Sequence, residues 1–320
     1  MYDILNFSVP TPYPVGPVNL YLVKSGETNV LIDTGPYTEE AKEAFIENLK
    51  KFGLTPGDIH YIIITHAHQD HMGLARWIKS QSGAKICTHI RNVYWITNYP
   101  GELERQRKYF KDFWRKNGVP EEIIRRMELY WNFFKDHSKS TSVDCFIEKD
   151  SLFMVEGAEL ELNYTPGHAI GHISVKIDDK FISGDHLLLD ITSNPVIEPP
   201  LPGETERPLS LPLYLNSLEK TLTIEGIKEV LPGHGTPFKN HKKVIKQKIK
   251  HYHKRKDQIY KKLGKDPMTL FQICRKVFSE LPDDQRFLAL SETQGHLDLL
   301  LIENKVTIEE IDGITYYVKG

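Results

Sequence analysis

The segment Thr65-His66-Ala67-His68-Gln69-Asp70-His71 constrains this chain more than any other. Residues 66–71 hold three imidazoles and one carboxylate. The segment directly follows Tyr61-Ile62-Ile63-Ile64, a continuous apolar run that predicts a short strand buried on both faces. A turn leaving such a strand can aim its side chains into one small space. Neutral imidazole and carboxylate groups gathered there suit a borderline divalent ion such as Zn(II).

Three more polar positions share this grammar. Thr165-Pro166-Gly167-His168 follows the apolar stretch 160–164, Ser183-Gly184-Asp185 follows Phe181-Ile182, and Pro232-Gly233-His234 follows Lys228–Leu231. In each, a glycine beside the polar residue permits a tight turn. Strand, glycine turn, then His or Asp is what a site at one edge of a sheet requires. A chain of 320 residues buries a core without a structural metal, so such a site is expected to be catalytic.

The rest of the first third alternates strand and helix. Val18–Val23 and Val30–Asp33 predict strands, and Thr38–Phe52 predicts a helix with Ala41, Phe45 and Leu49 on one face. Gly73–Ser80 starts another helix. Residues 91–140 predict amphipathic helices broken at Gly118-Val119-Pro120. Strands resume at Leu152–Val155, Glu159–Tyr164, Ser174–Ile177 and Phe181-Ile182. The six prolines between 190 and 212 predict a loop. Helices are expected at Lys243–Leu263, 268–279 and 283–303, then a hairpin of Val306–Ile308 and Thr315–Val318 through Asp312-Gly313. Helix, helix, hairpin is a winged-helix pattern.

Three widely spaced cysteines (Cys87, Cys145, Cys274) without a CxxC point to a reducing compartment. The start, MYDILNFSVPTPYP, lacks the features of a secretory signal. No apolar run reaches the roughly 20 residues of a membrane span. A cytoplasmic setting is therefore expected. The net charge of -2 hides a basic segment, 239–276, with fourteen Lys and Arg against Asp257 and Asp266. It reads as a solvated helix face or as a polyanion surface. The aromatic-rich stretch Tyr94–Phe134 reads as helix packing, as an apolar cap, or as a dimer interface.

The order HxHxDH, His, Asp, His resembles the metallo-β-lactamase superfamily over roughly residues 15–240. The Pro-rich loop, the basic helix, Gly295-His296-Leu297 and the final hairpin are similar to its β-lactamase-like-protein-2 branch. The resemblance implies an α/β fold, an αββα sandwich, with a helical insertion at 91–140 and a small C-terminal winged-helix-like domain. The implied division is 1–240 catalytic and 241–320 basic helix plus winged helix. It implies two divalent ions, Zn2+ first and Mn2+ or Fe as alternatives. His66, His68 and His168 would hold one, Asp70, His71 and His234 the other, and Asp185 would bridge them. Asp33 matches a position that supports the site from behind, and His172 and His186 stand near ligands in sequence.

Such a pair of ions lowers the pKa of a shared water toward neutrality and polarises a substrate oxygen. Asp70 is the candidate to orient that water or take its proton. The leading expectation is a hydrolase of esters or thioesters acting on a small acyl substrate. A phosphodiesterase, specifically a single-strand endoribonuclease with RNA as partner, is the second. A non-hydrolytic metal-containing regulatory or ligand-binding protein is the third. A homodimer through the aromatic insertion is also open. β-Lactamase activity is not expected, since fold alone does not set substrate.

Overall fold

The computed structural model describes residues 2–281 and 286–320, the side chain of Tyr130 excepted. Its first sheet holds β1 (Tyr2–Val9), β2 (Val18–Ser25), β3 (Thr28–Ile32), β4 (Tyr61–Ile64), β5 (Lys85–His89) and β6 (Cys145–Ile147), side by side in chain order. β1 to β3 run antiparallel and β3 to β6 parallel. The second sheet holds β7 (Ser151–Val155), β8 (Ala158–Tyr164), β9 (Ile173–Ile177), β10 (Lys180–Gly184) and β11 (Glu229–Pro232), antiparallel except for the β10–β11 pair.

Strand alternation sorts the apolar side chains into layers. Leu20, Leu22, Leu31, Ile62 and Ile64 face outward onto α1 (Glu39–Lys51) and the short helices α2 (Gln69–Met72) and α3 (Ala75–Ser82). Tyr21, Val23, Ile32 and Ile63 point the other way, against Leu160, Leu162, Val175 and Ile182 of the second sheet. This is why Tyr61–Ile64 reads as an unbroken apolar run: both of its faces are covered. Each such aliphatic side chain contributes ~1.5–3 kcal/mol on burial. α1 forms as its spacing predicts. Thr38 caps its first turn by accepting from the Ala41 amide, and Ala41, Phe45 and Leu49 are buried. On the far side, Phe181 and Val230 pack against α7 (Ser210–Thr223) and α8 (His241–Lys262). The layering is helix, sheet, sheet, helix.

The inserted segment forms α4 (Val93–Thr97), α5 (Tyr99–Lys116) and α6 (Glu121–Phe134), with the break at Gly118-Val119-Pro120 where the sequence places it. The chain ends with α9 (Leu270–Val277), α10 (Arg286–Ile302) and the hairpin β12 (Val306–Ile311) and β13 (Ile314–Lys319). The predicted helix 283–303 starts on residues outside the described ones. One apolar core joins Phe110, Trp114, Ile123 and Met127 of the insertion to Ile259, Leu270, Leu290, Leu297 and Tyr317 of the C-terminal segment. Among the described residues no helix is long and apolar enough to cross a membrane.

The sequence reading missed β1, β5, β6 and α7. β1 is half-exposed, with only Phe7 and Val9 buried, and β6 spans three residues. Pro212 obscured α7, yet it lies in that helix's first turn, where no backbone N–H is needed.

Candidate metal centre

Each site side chain stands at or just past the end of a strand. β3 runs into Asp33, β4 into Thr65 and His66, β8 into the turn carrying His168, β10 into Asp185 and β11 into His234. Parallel pairing aligns the ends of β3 and β4, and those of β10 and β11. His68 stands at the N-cap of α2, which holds Asp70 and His71 in its single turn.

The structure brings all seven predicted residues together. Three sets have ligand atoms within 4.8 Å of one another: His66, His68 and His168; His66, His71 and Asp185; and Asp70, His71 and His234. His68 Nδ1 lies 2.9 Å from His66 Nε2 and 3.1 Å from His168 Nε2. His234 Nε2 is 3.3 Å from an Asp70 carboxylate oxygen. Asp185 stands between the groups, with oxygens 3.5 Å from His71 Nε2, 3.7 Å from His168 Nε2 and 3.6 Å from His234 Nε2.

The opposite ring nitrogens are pinned. His71 Nδ1 donates to Asp33 at 2.7 Å, His168 Nδ1 to the Asn194 carbonyl at 3.0 Å, and His234 Nδ1 to the Pro17 carbonyl at 2.9 Å. Such contacts fix the tautomer that leaves Nε2 free as a ligand. Asp33 sits in a left-handed conformation, φ 63°, and also accepts from the Thr65 amide and hydroxyl at 2.8 Å each. Thr65 Oγ1 in turn lies 3.0 Å from His66 Nδ1. His172 takes the Asp185 amide on Nε2 at 3.1 Å and meets Thr165 through Nδ1. His186 contacts Thr221 instead, away from the cluster. Sequence reasoning missed Thr65, Asn194 and Pro17. Only Thr65 carried a signal, its place directly before His66.

Charge in the site is divided. Burial, then the neighbouring imidazole charges, hold His66 well below the usual histidine range, and burial followed by His168 takes His68 down to about 3. Burial also lowers His168. Burial works against charge on His71 too, but Asp33, Asp185 and Asp70 outweigh it and hold His71 well above its ordinary value. Asp185 and Asp70 are buried yet held low, the first mainly by His234 and His71, the second by His71 and His234. Neutral imidazoles and ionised carboxylates are the forms that bind a cation. His66, His68, His168 and both carboxylates are already in them, whereas His71 and His234, the latter also raised against burial by Asp185 and Asp70, would release a proton on binding.

The residues fit a metal by a second criterion. Buried His71 Nε2, His234 Nε2 and Asp185 Oδ1 have no hydrogen-bond partner, and all three point into the cluster. Left unpaired, such atoms are costly; a cation satisfies them together. Gly233 keeps the space open, since a Cβ there would lie 2.3 Å from Asp185 Oδ1.

The cluster forms the floor of a cavity of about 400 Å3. His68, Asp70, His168 and Asp185 reach it. Trp95, Phe110, Trp131 and Phe134 of the insertion line it, as do Leu188, Ile191, Val196 and Ile197 in and just before the Pro-rich stretch and Phe287 of α10. The aromatic segment therefore packs on the C-terminal segment and also walls the cavity.

A family model described as the metallo-beta-lactamase superfamily matches residues 13–234. The chain is 31% identical to the probable metallo-hydrolase YqjP of Bacillus subtilis (strain 168), covering 99% of this chain and 98% of the relative. It is 26% identical to a beta-lactamase-like protein 2 homolog of Drosophila melanogaster, covering 97% and 90%. In fold it is similar to a metallo-beta-lactamase family protein from Thermus thermophilus, with a TM-score of 0.82, 24% identity and coverage of 99% and 98%.

Proposed function

Because the chain belongs to the metallo-β-lactamase superfamily, we propose that it is a dinuclear metal-dependent hydrolase of esters or thioesters. His66, His68 and His168 would hold one divalent ion, Asp70, His71 and His234 the other, and Asp185 would serve both. Zn2+ is the first candidate. When bound, such ions supply a Lewis acid and a water acidic enough to react near neutral pH. Asp70 carries a carboxylate at the cavity floor, within reach of a water there, and would orient it and accept its proton. Asp33 holds the His71 ring, and the Asn194 and Pro17 carbonyls hold His168 and His234, so the ligand directions are set before substrate arrives.

The observation that carries the acyl reading is the cavity itself. Its walls are mainly aromatic and aliphatic, and its size falls in the ~300–1,000 Å3 range of small-molecule sites. An apolar acyl group leaves water on entering, whereas the flanking phosphates of a polynucleotide would lose hydration against walls that carry no Lys or Arg. We read 241–320 as a winged-helix-like unit whose α10 closes the cavity with Phe287.

A second reading, single-strand RNA cleavage, rests on one observation: Lys242, Lys243, Lys246 and Lys250 of α8 share one exposed concavity. The test is a side-by-side assay. Zn- and Mn-loaded protein meets a panel of acyl-CoA and acyl-glutathione thioesters and a labelled single-stranded RNA. The expected result is thioester turnover that falls by roughly 10²–10⁴-fold in Asp70→Ala. RNA cleavage alone, lost in the same variant, would replace the acyl reading with the second.

A further inference from the structure

Gln106 is out of place in the wall of the cavity. It lies on the buried stripe of α5, between Leu103 and Phe110, and is 6% exposed. Its amide has no hydrogen-bond partner among the described residues, and it lines the cavity. An apolar side chain at this position would complete the aromatic wall at no polar cost. Two other polar groups, Asn92 of the wall and Glu102 of the same helix, are already engaged. Asn92, also on the cavity, donates to the Thr88 hydroxyl at 2.9 Å and the Gly171 carbonyl at 2.8 Å. Glu102, one turn before Gln106, is paired with Arg105 at 2.7 Å and 2.5 Å.

Glu198 is the second polar group with capacity to spare. One carboxyl oxygen accepts from the Ile170 amide at 2.5 Å, and the side chain lines the same cavity. Burial first, and then the charge of Glu102, push this carboxyl up to about 7. An anionic ligand group beside it would be repelled, while a neutral donor and acceptor would not.

We infer that Gln106 and Glu198 form a polar subsite within the apolar cavity, recognising an uncharged hydrogen-bonding group, an amide in the first instance, carried by the acyl part of the substrate. The preferred substrate is then an acyl ester or thioester whose chain is interrupted by an amide, rather than a plain alkyl chain. The inference rests on the acyl-hydrolase reading above. The amide of Gln106 lines the cavity without a protein partner, so a ligand bringing both a donor and an acceptor gains most there.

The test uses two thioesters of N-acetylcysteamine with equal chain length, N-propionylglycyl and hexanoyl, and the uncleavable amides N-propionylglycinamide and hexanamide. Turnover is measured on metal-loaded protein, and amide binding by quenching of the fluorescence of Trp95 and Trp131. Wild type should prefer the member of each pair whose chain carries the internal amide by roughly tenfold, about the worth of one or two hydrogen bonds. Gln106→Met, which keeps chain length and removes the amide, should collapse both ratios toward one. Glu198→Gln repeats the measurement from the other polar group and does not depend on how α5 accepts methionine. Equal affinity of wild type for the two amides, no quenching by either, or a preference that survives Gln106→Met would overturn the inference. A binding preference without turnover of either thioester would keep the subsite and remove the acyl-hydrolase reading.

Discussion

The floor and the walls of the cavity are built by different physics. The floor is seven side chains on strand ends and one helical turn, held by directional contacts such as His71 to Asp33 and His168 to the Asn194 carbonyl. The walls are aromatic and aliphatic side chains from three separated stretches, held by nondirectional packing: Phe287 meets Phe110, Trp114 and Trp131 edge-on at 5.5–5.9 Å. A small displacement in the floor changes what can be bound at all. The same displacement in the wall changes which substrate fits.

Three substitutions test that separation. Gly233→Ala should have the largest effect. Its Cβ would sit 2.3 Å from Asp185 Oδ1 and 2.9 Å from His71 Cε1, so both side chains must move. A shift of ~1 Å at a reacting centre costs on the order of 10²-fold in rate, and metal content measured by atomic emission should fall with turnover. Normal metal content and turnover would show the floor to be more compliant than its geometry implies.

Asp33→Asn comes next. The amide cannot offer two acceptor oxygens to His71, Thr65 N and Thr65 Oγ1 together. Zn affinity in a chelator competition should drop by roughly 10–100-fold, with substrate preference intact. A changed preference with unchanged affinity would break the comparison from the floor side.

Phe287→Ala should be the mildest. The ring is only partly buried, so its loss should cost less than the ~3–5 kcal/mol of a fully buried one, read from urea denaturation. KM for an acyl thioester should rise while Zn affinity stays at the wild-type value. Loss of Zn affinity would mean that wall and floor are one mechanical unit.

The floor was legible in the sequence because its signals are local. His66, His68, Asp70 and His71 fall within one turn and its strand, and glycine marks the turns at His168, Asp185 and His234. Asp33, which ends the strand Val30–Asp33, was singled out through the family resemblance. The carbonyls of Asn194 and Pro17 carry no side-chain signature, so nothing in the sequence could have assigned them. β3 and β4, buried on both faces, were legible for the same local reason; β5 is buried on both faces too, but Thr88 and His89 cut its apolar run short, and half-exposed β1 and three-residue β6 lacked enough alternation to stand out. α7 stayed hidden because proline reads as a breaker unless its place in the helix is known.

By itself, then, the sequence determined which side chains could bind a cation and that they would lie at strand ends, since alternation and glycine turns act over a few residues. Only the tertiary structure decided that the aromatic insertion and the chain's last 80 residues share one core. The same holds for the joint wall over the floor and for the unpartnered amide of Gln106 within it. Contacts between residues 110, 197 and 287 are set by how whole helices and a loop come together, and hydrophobic packing leaves no spacing rule in the chain from which that meeting could be read.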